Sequence, residues 1–366
     1  MNKRRFIKYI IAVFASLTVF FPAACCKLAA DKEVSGSAVE NNLGPAPLFI
    51  DPCYHGSCDP EIVWNSHKKE WWIFYTARRS TKENTWLGCP IGVAASKDWK
   101  KWRFISYCKF DGVGGQPDSP NTFWAPGIIR DGNTYHMFVT FKPGTDISGG
   151  HWGGRGTIVH YEAPADDLLN GWKKVGDLHG TEIKALDACL CKIGDLWHLW
   201  HKGTTEDMKG PNLFHWTSKD LYKWNGQGIA DGDVFNPSVT GFNSEEAPYV
   251  FSWKNKYWLI TDAHNGLPVY SSDDAQYWRY QGAILLEAGT RNLDNSRARH
   301  CSVTIFGDRA FIFYHVEPWR DYKGKIHKQP PENRRSVLQM AELEYKDESL
   351  MCDRDKVIQL PVFDRQ

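Results

Sequence analysis

Ile62-Val-Trp-Asn-Ser-His-Lys-Lys-Glu-Trp-Trp-Ile-Phe-Tyr75 is a strand, a short polar turn and a second strand rich in aromatic residues. The same pattern recurs four more times, at Ile128–Val139, Cys189–Trp200, Tyr249–Ile260 and Val303–Tyr314. Asp-Gly, Gly-Asp and Lys-Asn at the centres of the later copies are typical of hairpin turns. The turns are about 50–65 residues apart, which is long enough for one propeller blade each.

A second element repeats with the same period. It consists of Ser-x-Asp followed four residues later by Trp, at Ser96–Trp102, Ser218–Trp224 and Ser272–Trp278, with a looser copy at Ala165–Trp172. We expect this element to link the third strand of a blade to the fourth, with its Trp packed between blades. Five repeats of about four strands predict an all-β, five-bladed β-propeller. The absence of a long amphipathic pattern argues against α/β barrels, whereas a β-sandwich with inserted loops does not explain the fivefold recurrence.

The N-terminus has the features of an export signal. Basic residues between Lys3 and Lys8 precede an uncharged run, Tyr9–Ala24, that is too short to span a bilayer comfortably. Cys25 follows two alanines, as in the lipobox of bacterial lipoproteins. We therefore expect a lipoprotein-type signal peptide at 1–26, a linker at 27–46 and a catalytic propeller at 47–366. The predicted location is the periplasm or the outer membrane of a bacterium, with membrane contact only through the lipid anchor.

Composition narrows the class of partner. Lys and Arg total 44 and Asp and Glu total 43, so the net charge of +1 gives no sign of nucleic-acid binding. The 17 Trp, 15 Tyr and 19 Phe side chains serve either a core or flat faces on which sugar rings stack. Cys53 and Cys58 are close enough in sequence to pair, and an exported protein permits a disulfide. Cys189 and Cys191 fall on one face of a strand, where buried free thiols are expected.

Acidic residues precede three of the five repeats. Asp59, Asp187 and Glu246 stand just before the first strand of blades one, three and four, where Trp124 and His300 stand in the other two. The innermost strands of a propeller line its axis, so we expect the three carboxylates to converge there. A single acid before a strand is usually a turn cap. Three at equivalent places indicate glycoside hydrolysis, which needs one protonated and one ionised carboxyl group.

The motifs around these residues resemble glycoside hydrolase family 43 and its five-bladed clan relatives, from about Asp51 to Tyr345. The matching motifs lie in all five blades: Asp59-Pro60, Trp124-Ala125-Pro126, Asp187, Glu246-Ala247-Pro248, and His300-Cys301-Ser302-Val303 with Tyr314-His315. The chain departs from the family at Gly127, where many relatives carry an acid, and at Ala188, where Pro is frequent.

The resemblance implies roles for the site residues. Asp59 would be the general base, Glu246 the general acid, and Asp187 the group that tunes and orients Glu246. The family inverts configuration, so Asp59 and Glu246 should lie about 6.5–9.5 Å apart. Asp51 is a rival for the base and Glu245 for the acid. The predicted sugar-binding residues, outside the catalytic set, are His55, Trp124, Arg299 and His300.

The resemblance also implies a substrate class. We expect an exo-acting enzyme on plant or algal oligosaccharides or polysaccharides, similar to arabinofuranosidases and xylosidases. No cofactor and no catalytic metal are required, although relatives often place a calcium ion near the axial histidine, here His300. The alternatives are a non-catalytic carbohydrate-binding propeller and a glycosidase of the anhydrogalactosidase type.

Overall fold

The computed structural model describes residues 42–145, 156–178, 180 and 184–363. These residues fold into five antiparallel sheets of four strands, with one short strand added to the fourth sheet, and they contain little helix. The first strands contact one another in a closed ring, each touching the first strand of the blade before and after it. The predicted five-bladed β-propeller is therefore confirmed. The predicted signal peptide and residues 27–41 of the predicted linker lie outside the described residues.

The strands of the first three blades follow one another in sequence. Blade one contains β1 (Ser57–Asn65), β2 (Glu70–Ala77), β3 (Ile91–Ser96) and β4 (Arg103–Tyr107). A small hairpin follows, formed by β5 (Lys109–Phe110) and β6 (Val113–Gly114). Blade two contains β7 (Thr122–Asp131), β8 (Thr134–Lys142), β9 (Thr157–Pro164) and β10 (Lys173–Asp177). Blade three contains β11 (Leu186–Ile193), β12 (Leu196–Gly203), β13 (Asn212–Ser218) and β14 (Trp224–Ile229).

The last two blades carry the short helical segments. The strand β15 (Asp231–Gly232) pairs in parallel with the outer strand of blade four, and α1 (Pro237–Thr240) follows it. Blade four contains β16 (Glu246–Trp253), β17 (Lys256–Asp262), β18 (Leu267–Ser272) and β19 (Tyr277–Ile284). Blade five contains β20 (Arg299–Phe306), β21 (Arg309–Val316), β22 (Val337–Lys346) and β23 (Ser349–Cys352). Two 3₁₀ turns, Ile326–Lys328 and Pro331–Arg334, lie between β21 and β22.

The Ser-x-Asp element forms the turn between the third and fourth strands, as predicted. In blade one the Asp98 carboxylate accepts the backbone N–H groups of Lys100 and Lys101 at 2.9 and 3.0 Å, which closes the turn. Asp220 and Asp274 make the same pair of bonds in blades three and four. These bonds to the ionised carboxylates favour the charged form.

Five apolar clusters lie between neighbouring blades and form the core. Each of the four predicted tryptophans packs in the cluster between its own blade and the one before it. Trp172 and Trp278 are fully buried, and Trp102 and Trp224 pack at the edges of their clusters. The prediction that these side chains pack between blades is confirmed.

The two ends of the described chain close the ring beside blade five. The N–H of Leu48 bonds to the carbonyl of Leu338 on β22, and the N–H of Gly44 bonds to the carbonyl of Ile358. Leu48, Ile358 and Leu360 are buried in the cluster between blades five and one. Residues 42–44 of the predicted linker therefore pair with the C-terminal segment.

Two pairs of buried histidines occupy matching places in blades two and three. His136 and His160 contact each other at 2.9 Å between ring nitrogens, and so do His198 and His215. Burial lowers the pKa of His160 to about 3, helped by His136, and lowers the pKa of His215 to about 4, helped by His198. The folded protein therefore holds these imidazoles neutral.

This burial predicts a loss of stability in acid. The unfolded chain begins to bind protons near pH 6.5, whereas folded His160 and His215 stay neutral to about pH 3–4. The contribution of these two histidines to stability is thus fully present above pH 6.5. The free energy of unfolding should fall by several kcal/mol as the pH drops toward 4. Urea unfolding between pH 8 and 4 measures this, with His215→Phe expected to flatten the slope. The exposed His67→Gln serves as control, and an unchanged slope in His215→Phe would contradict the assignment.

None of the described cysteines is in a disulfide bond. Cys58 is buried with its Sγ 2.9 Å from the Ser336 hydroxyl, whereas Cys53 is exposed, so the possible disulfide between them is not formed. Cys189 is buried on β11 and Cys191 is half-buried on the same strand. Among the described residues, no helix is long and apolar enough to cross a membrane.

Candidate active site

Each innermost strand begins with a β-bulge that turns one residue into the left-handed region of backbone conformation. The five residues are Asp59, Ala125, Asp187, Ala247 and His300, with φ between 31° and 59°. The pairing of first and second strands shifts register at each of these places. Positive φ is costly for residues other than glycine, and such bulges cluster at functional sites. The bulges therefore mark one layer of the ring.

The bulges also correct one prediction. Asp59, Asp187 and His300 occupy equivalent bulge positions, but Glu246 lies one residue earlier, in the position of Trp124 and Arg299. The expectation that the three carboxylates are structurally equivalent is therefore wrong for Glu246. The Glu-Ala-Pro motif gives no sign of this offset, because the sequence alone does not show which of its residues takes the positive φ.

Side chains on the second strands hold four of the five bulges in place. The bulge N–H donates to an acceptor on the second strand of the preceding blade. These bonds are Asp59 N to His315 Nδ1 (3.2 Å), Ala125 N to Thr76 Oγ1 (2.8 Å), Asp187 N to Thr140 Oγ1 (2.9 Å) and His300 N to Asp262 Oδ2 (3.1 Å). Because His315 Nδ1 accepts, its proton lies on Nε2. Burial and the nearby Arg78 and Arg299 hold the pKa of His315 well below its usual range.

The bulge of blade four breaks this pattern. The second strand of blade three offers Lys202 at the matching place, opposite Leu186, and an ammonium group accepts no hydrogen bond. The N–H of Ala247 donates instead to Oδ2 of Asp187 at 3.2 Å. Nζ of Lys202 turns to Oε2 of Glu246 at 3.1 Å. Asp187 thus binds the residue next to Glu246, which ties the two carboxyl groups together.

Asp59 lies between two histidines. Its Oδ1 is 3.4 Å from Nδ1 of His300 and 3.5 Å from Nδ1 of His315, and its side chain is 11% exposed. His315 is neutral, because its pKa is depressed. A carboxylate in this setting is an acceptor with access to the axis, which is what a general base needs.

Asp187 and Glu246 differ in their readiness to hold a proton. Burial raises the pKa of Asp187 to about 7, and the negative charges of Glu246 and Asp59 add to the rise against the opposing charge of His300. Burial alone would raise the pKa of Glu246, but the basic groups of His264, Lys202 and Arg299 outweigh it and lower the value to about 2. When the pair carries a single proton, Asp187 therefore holds it, and the pair loses it as the pH rises through about 7.

Arg299 lies beside Glu246 and makes several polar contacts. Its Nε donates to Asp262 at 2.8 Å, Nη2 contacts Nδ1 of His264 at 2.6 Å, and Nη2 lies 3.7 Å from Glu246. Nη1 is 3.7 Å from Glu317, a buried carboxylate that also pairs with Arg78 and Arg320. Burial would raise the pKa of Glu317, but these arginines lower it to about 2. The network holds Arg299 rigidly next to Glu246.

In the described part of the chain, no hydrogen bond or ion pair joins the remaining predicted residues, Trp124 and His55, to the three carboxylates. Trp124 is half-buried and donates its Nε1–H to the carbonyl of Trp86 at 2.8 Å, so its ring has a fixed orientation. His55 is half-buried before β1, and burial and Arg335 lower its pKa. No contact between His55 and the three carboxylates is seen in the described part of the chain.

The two rival carboxylates have structural roles. Asp51 is fully buried and accepts the hydroxyl groups of Tyr75 and Tyr107 at 2.7 and 2.8 Å. Glu245 is also buried and accepts the hydroxyl groups of Thr261 and Tyr270. Both carboxylates are thus bound to hydroxyl groups of the core, and the choice of Asp59 and Glu246 over these rivals stays a prediction.

Three groups near the acid approach the spacing of a metal site. Ligand atoms of Glu246, Asp262 and His264 lie within 4.8 Å of one another. Arg299 already donates to Asp262, and Lys202 donates to Glu246, so two of the three groups are already paired with permanent cations. These residues therefore do not fit a metal ion. The calcium ion near His300 stays a prediction.

Several residues of this site had not been predicted from the sequence: Lys202, Asp262, His264, His315 as a bulge acceptor, and Glu317. Most of them lie on or directly after second strands, opposite the bulges. The signal that could have found them is the register of the repeat, because each sits a fixed number of residues after its hairpin turn. Lys202 would then have stood out as the one side chain at this position that has no acceptor atom.

The fold is similar to that of solved glycoside hydrolases. A thermostable family-43 glycoside hydrolase matches with a TM-score of 0.61 and 17% identity, covering 82% of this chain and 95% of that one. A family-43 β-xylosidase/α-arabinofuranosidase from a compost microbial metagenome, in complex with xylotriose, matches at 0.58 and 12%, covering 83% and 95%. A family-43 enzyme from Xanthomonas citri with xylotriose matches at 0.58 and 11%, covering 83% and 92%.

The comparisons by sequence found less. No family model matches the chain, and no curated protein matches it. The expected resemblance to family 43 and its clan is thus confirmed at the level of the five-bladed fold, which this chain shares with these enzymes over most of its described length.

Proposed function

We propose that this protein is an inverting glycoside hydrolase that uses Asp59, Asp187 and Glu246. The observation that carries the proposal is the bond from the Ala247 N–H to Asp187, because it ties a carboxyl group of raised pKa to a neighbouring ionised one. Glycosidases need such an unequal pair. Asp59, on another blade of the same bulge layer, supplies the third carboxylate.

The proposed reaction is a single displacement. Asp59 takes a proton from a water molecule, which attacks the anomeric carbon from one side. On the other side the Asp187–Glu246 pair delivers its proton to the leaving oxygen as the glycosidic bond breaks. Glu246 is the donor in this scheme, and Asp187 holds the proton in the free protein and passes it on when the substrate is bound.

For the substrate we propose a plant or algal oligosaccharide, cleaved from one end as by arabinofuranosidases and xylosidases. Support comes from the similar solved structures, two of which hold xylotriose. An exo-β-1,3-galactanase from Phanerochaete chrysosporium is also similar, at a TM-score of 0.57 and 14% identity. The first test is product release from arabinose-, xylose- and galactose-containing oligosaccharides, with inversion followed by NMR of the fresh product. Turnover of none of them would count against the proposal.

The proton on the carboxyl pair sets an expected pH dependence. Burial raises the pKa of Asp187 to about 7. The protonated form is present below that value, so activity should be kept in mild acid and lost as the pH rises through about 7. The measurement is kcat/KM from pH 5 to 9 on a substrate whose leaving group needs protonation. Constant activity up to pH 9 would show that this pair does not supply the proton.

A second candidate function is carbohydrate binding without hydrolysis. It is favoured by the three basic groups that keep Glu246 ionised, since an acid catalyst must be protonated at some point. Sugar binding that survives Asp59→Asn and Glu246→Gln, together with no turnover by the wild type, would favour this reading. A glycosidase of the anhydrogalactosidase type is the remaining alternative and is tested by adding agar oligosaccharides to the panel.

A further inference from the structure

Lys202 is the exception in the ring of bulge acceptors. In the other four blades the matching position holds Thr76, Thr140, Asp262 or His315, and each accepts the N–H of the next bulge. A lysine there gives up that bond and places a cation 3.1 Å from Glu246. Because Asp187 takes over the bond to Ala247, the fold keeps its bulge and gains a charge on the axial side.

The ion pairs around the site are complete only while Glu246 is ionised. Arg78 and Arg320 pair with Glu317, Arg299 pairs with Asp262, and Lys202 pairs with Glu246. If Glu246 takes a proton to act as an acid, one positive charge is left without its counter-ion. Leaving a partly buried charge unpaired is costly. An incoming anion would remove that cost.

Of the four cations, Lys202 is the one that a ligand can take over. Arg299 pairs with Asp262, and both Arg78 and Arg320 pair with Glu317, whose side chain is fully buried. Lys202 pairs with Glu246, whose side chain is 24% exposed. His264 beside them is 41% exposed, so this corner of the site is open to solvent.

We propose that the sugar bound at this site carries an anionic substituent, a carboxylate or a sulfate, which replaces Glu246 as the counter-ion of Lys202. The inference rests on the proposed function, since it concerns the same site. Binding of the anion frees Glu246, which takes the proton held by Asp187, and Asp187 then takes up a replacement proton from the solvent. An anionic substrate thus promotes the protonation of the acid that cleaves it, whereas a neutral sugar promotes this protonation poorly.

The test compares sugars that differ in one substituent. Galacturonic acid, galactose 6-sulfate and galactose are titrated calorimetrically into the wild type at pH 6.5, in two buffers of different ionisation enthalpy. One or both acidic sugars should bind about tenfold or more tightly than galactose, as expected for a hydrogen bond between charged groups. Which of the two binds tells a carboxylate from a sulfate. Binding should also take up close to one proton, read from the difference between buffers.

Variants assign the effect to Lys202. Lys202→Gln should remove the preference for the acidic sugars, whereas Lys202→Arg should keep part of it. Lys192→Gln is the matched control, because Lys192 is an exposed lysine of the same blade that lies over Trp197. If Lys202→Gln does not fold, Lys202→Arg and the proton uptake of the wild type still decide.

Two outcomes overturn the inference: equal or tighter binding of galactose, or a preference for acidic sugars that Lys202→Gln retains. The failure of the proposed function looks different. A protein that binds acidic sugars through Lys202 but cleaves no oligosaccharide supports the inference and contradicts the hydrolase. A protein that cleaves neutral sugars without any preference does the reverse.

Discussion

Glu246→Gln is expected to lower kcat by about 10²–10⁴-fold while the protein stays folded, because a general acid typically contributes that much. The amide has the same shape and still accepts the Lys202 ammonium, whose Nζ lies 3.1 Å from Oε2 in the wild type. What it lacks is a carboxyl proton that can be donated to the leaving oxygen. The measurement is kcat on the best oligosaccharide of the panel, together with thermal unfolding to confirm that the fold is intact.

The controls separate catalysis from general loss of carboxylates. Glu206→Gln changes an exposed acid in the loop between β12 and β13 and should leave kcat unchanged. Asp59→Asn should lower kcat as strongly as Glu246→Gln, since it removes the base. If Glu246→Gln keeps its activity while Asp187→Asn loses it, then the donor is Asp187, whose pKa burial raises to about 7.

Trp99→Ala should cost about 3–5 kcal/mol of unfolding free energy, the range for removing a large aromatic side chain from a core. Trp99 is fully buried at the junction of blades one and five. Its ring packs edge-on against Phe311 and Phe313 of blade five, each with 5.2 Å between ring centroids, and against Trp71 of blade one at 5.1 Å. The loss is therefore a large part of the total stability of a typical domain.

Urea unfolding at neutral pH measures this loss. Trp319→Ala is the matched control, because Trp319 is 37% exposed, and it should cost about 1 kcal/mol or less. A similar cost for both variants would mean that the junction of blades one and five contributes no more than the surface. A Trp99→Ala protein that still closes its ring would keep the bond from Leu48 to Leu338, which amide hydrogen exchange can follow.

The fold could be predicted from the sequence because hairpin turns and inter-blade tryptophans are local signals. The turn after Asn65 and the Ser96–Trp102 element read the same in the chain as in the structure. The bulge residues Asp59 and Asp187 were found for the same reason, since each directly precedes an apolar strand.

The rest of the site depends on contacts between blades, which no linear motif shows. Lys202 reaches Glu246 across 44 residues of sequence, and Arg299 reaches Asp262 across 37. The offset of Glu246 from the other two carboxylates depends on a single φ angle, that of Ala247. A sequence pattern locates a residue only to within one position along the chain. At a bulge, a shift by one position changes what the side chain faces.

The five bulges have a consequence for how the active-site residues of such a protein can evolve. The same backbone bulge occurs five times. In four of these bulges the backbone N–H is bound by a side chain of the preceding blade, and the side chain of the bulge residue itself takes no part in that bond. The bulge residues already range from alanine to aspartate to histidine. The residue at such a bulge can therefore differ from blade to blade while the hydrogen bond that holds the bulge is kept. The side chains that carry the chemistry can thus change while the backbone of the propeller stays the same.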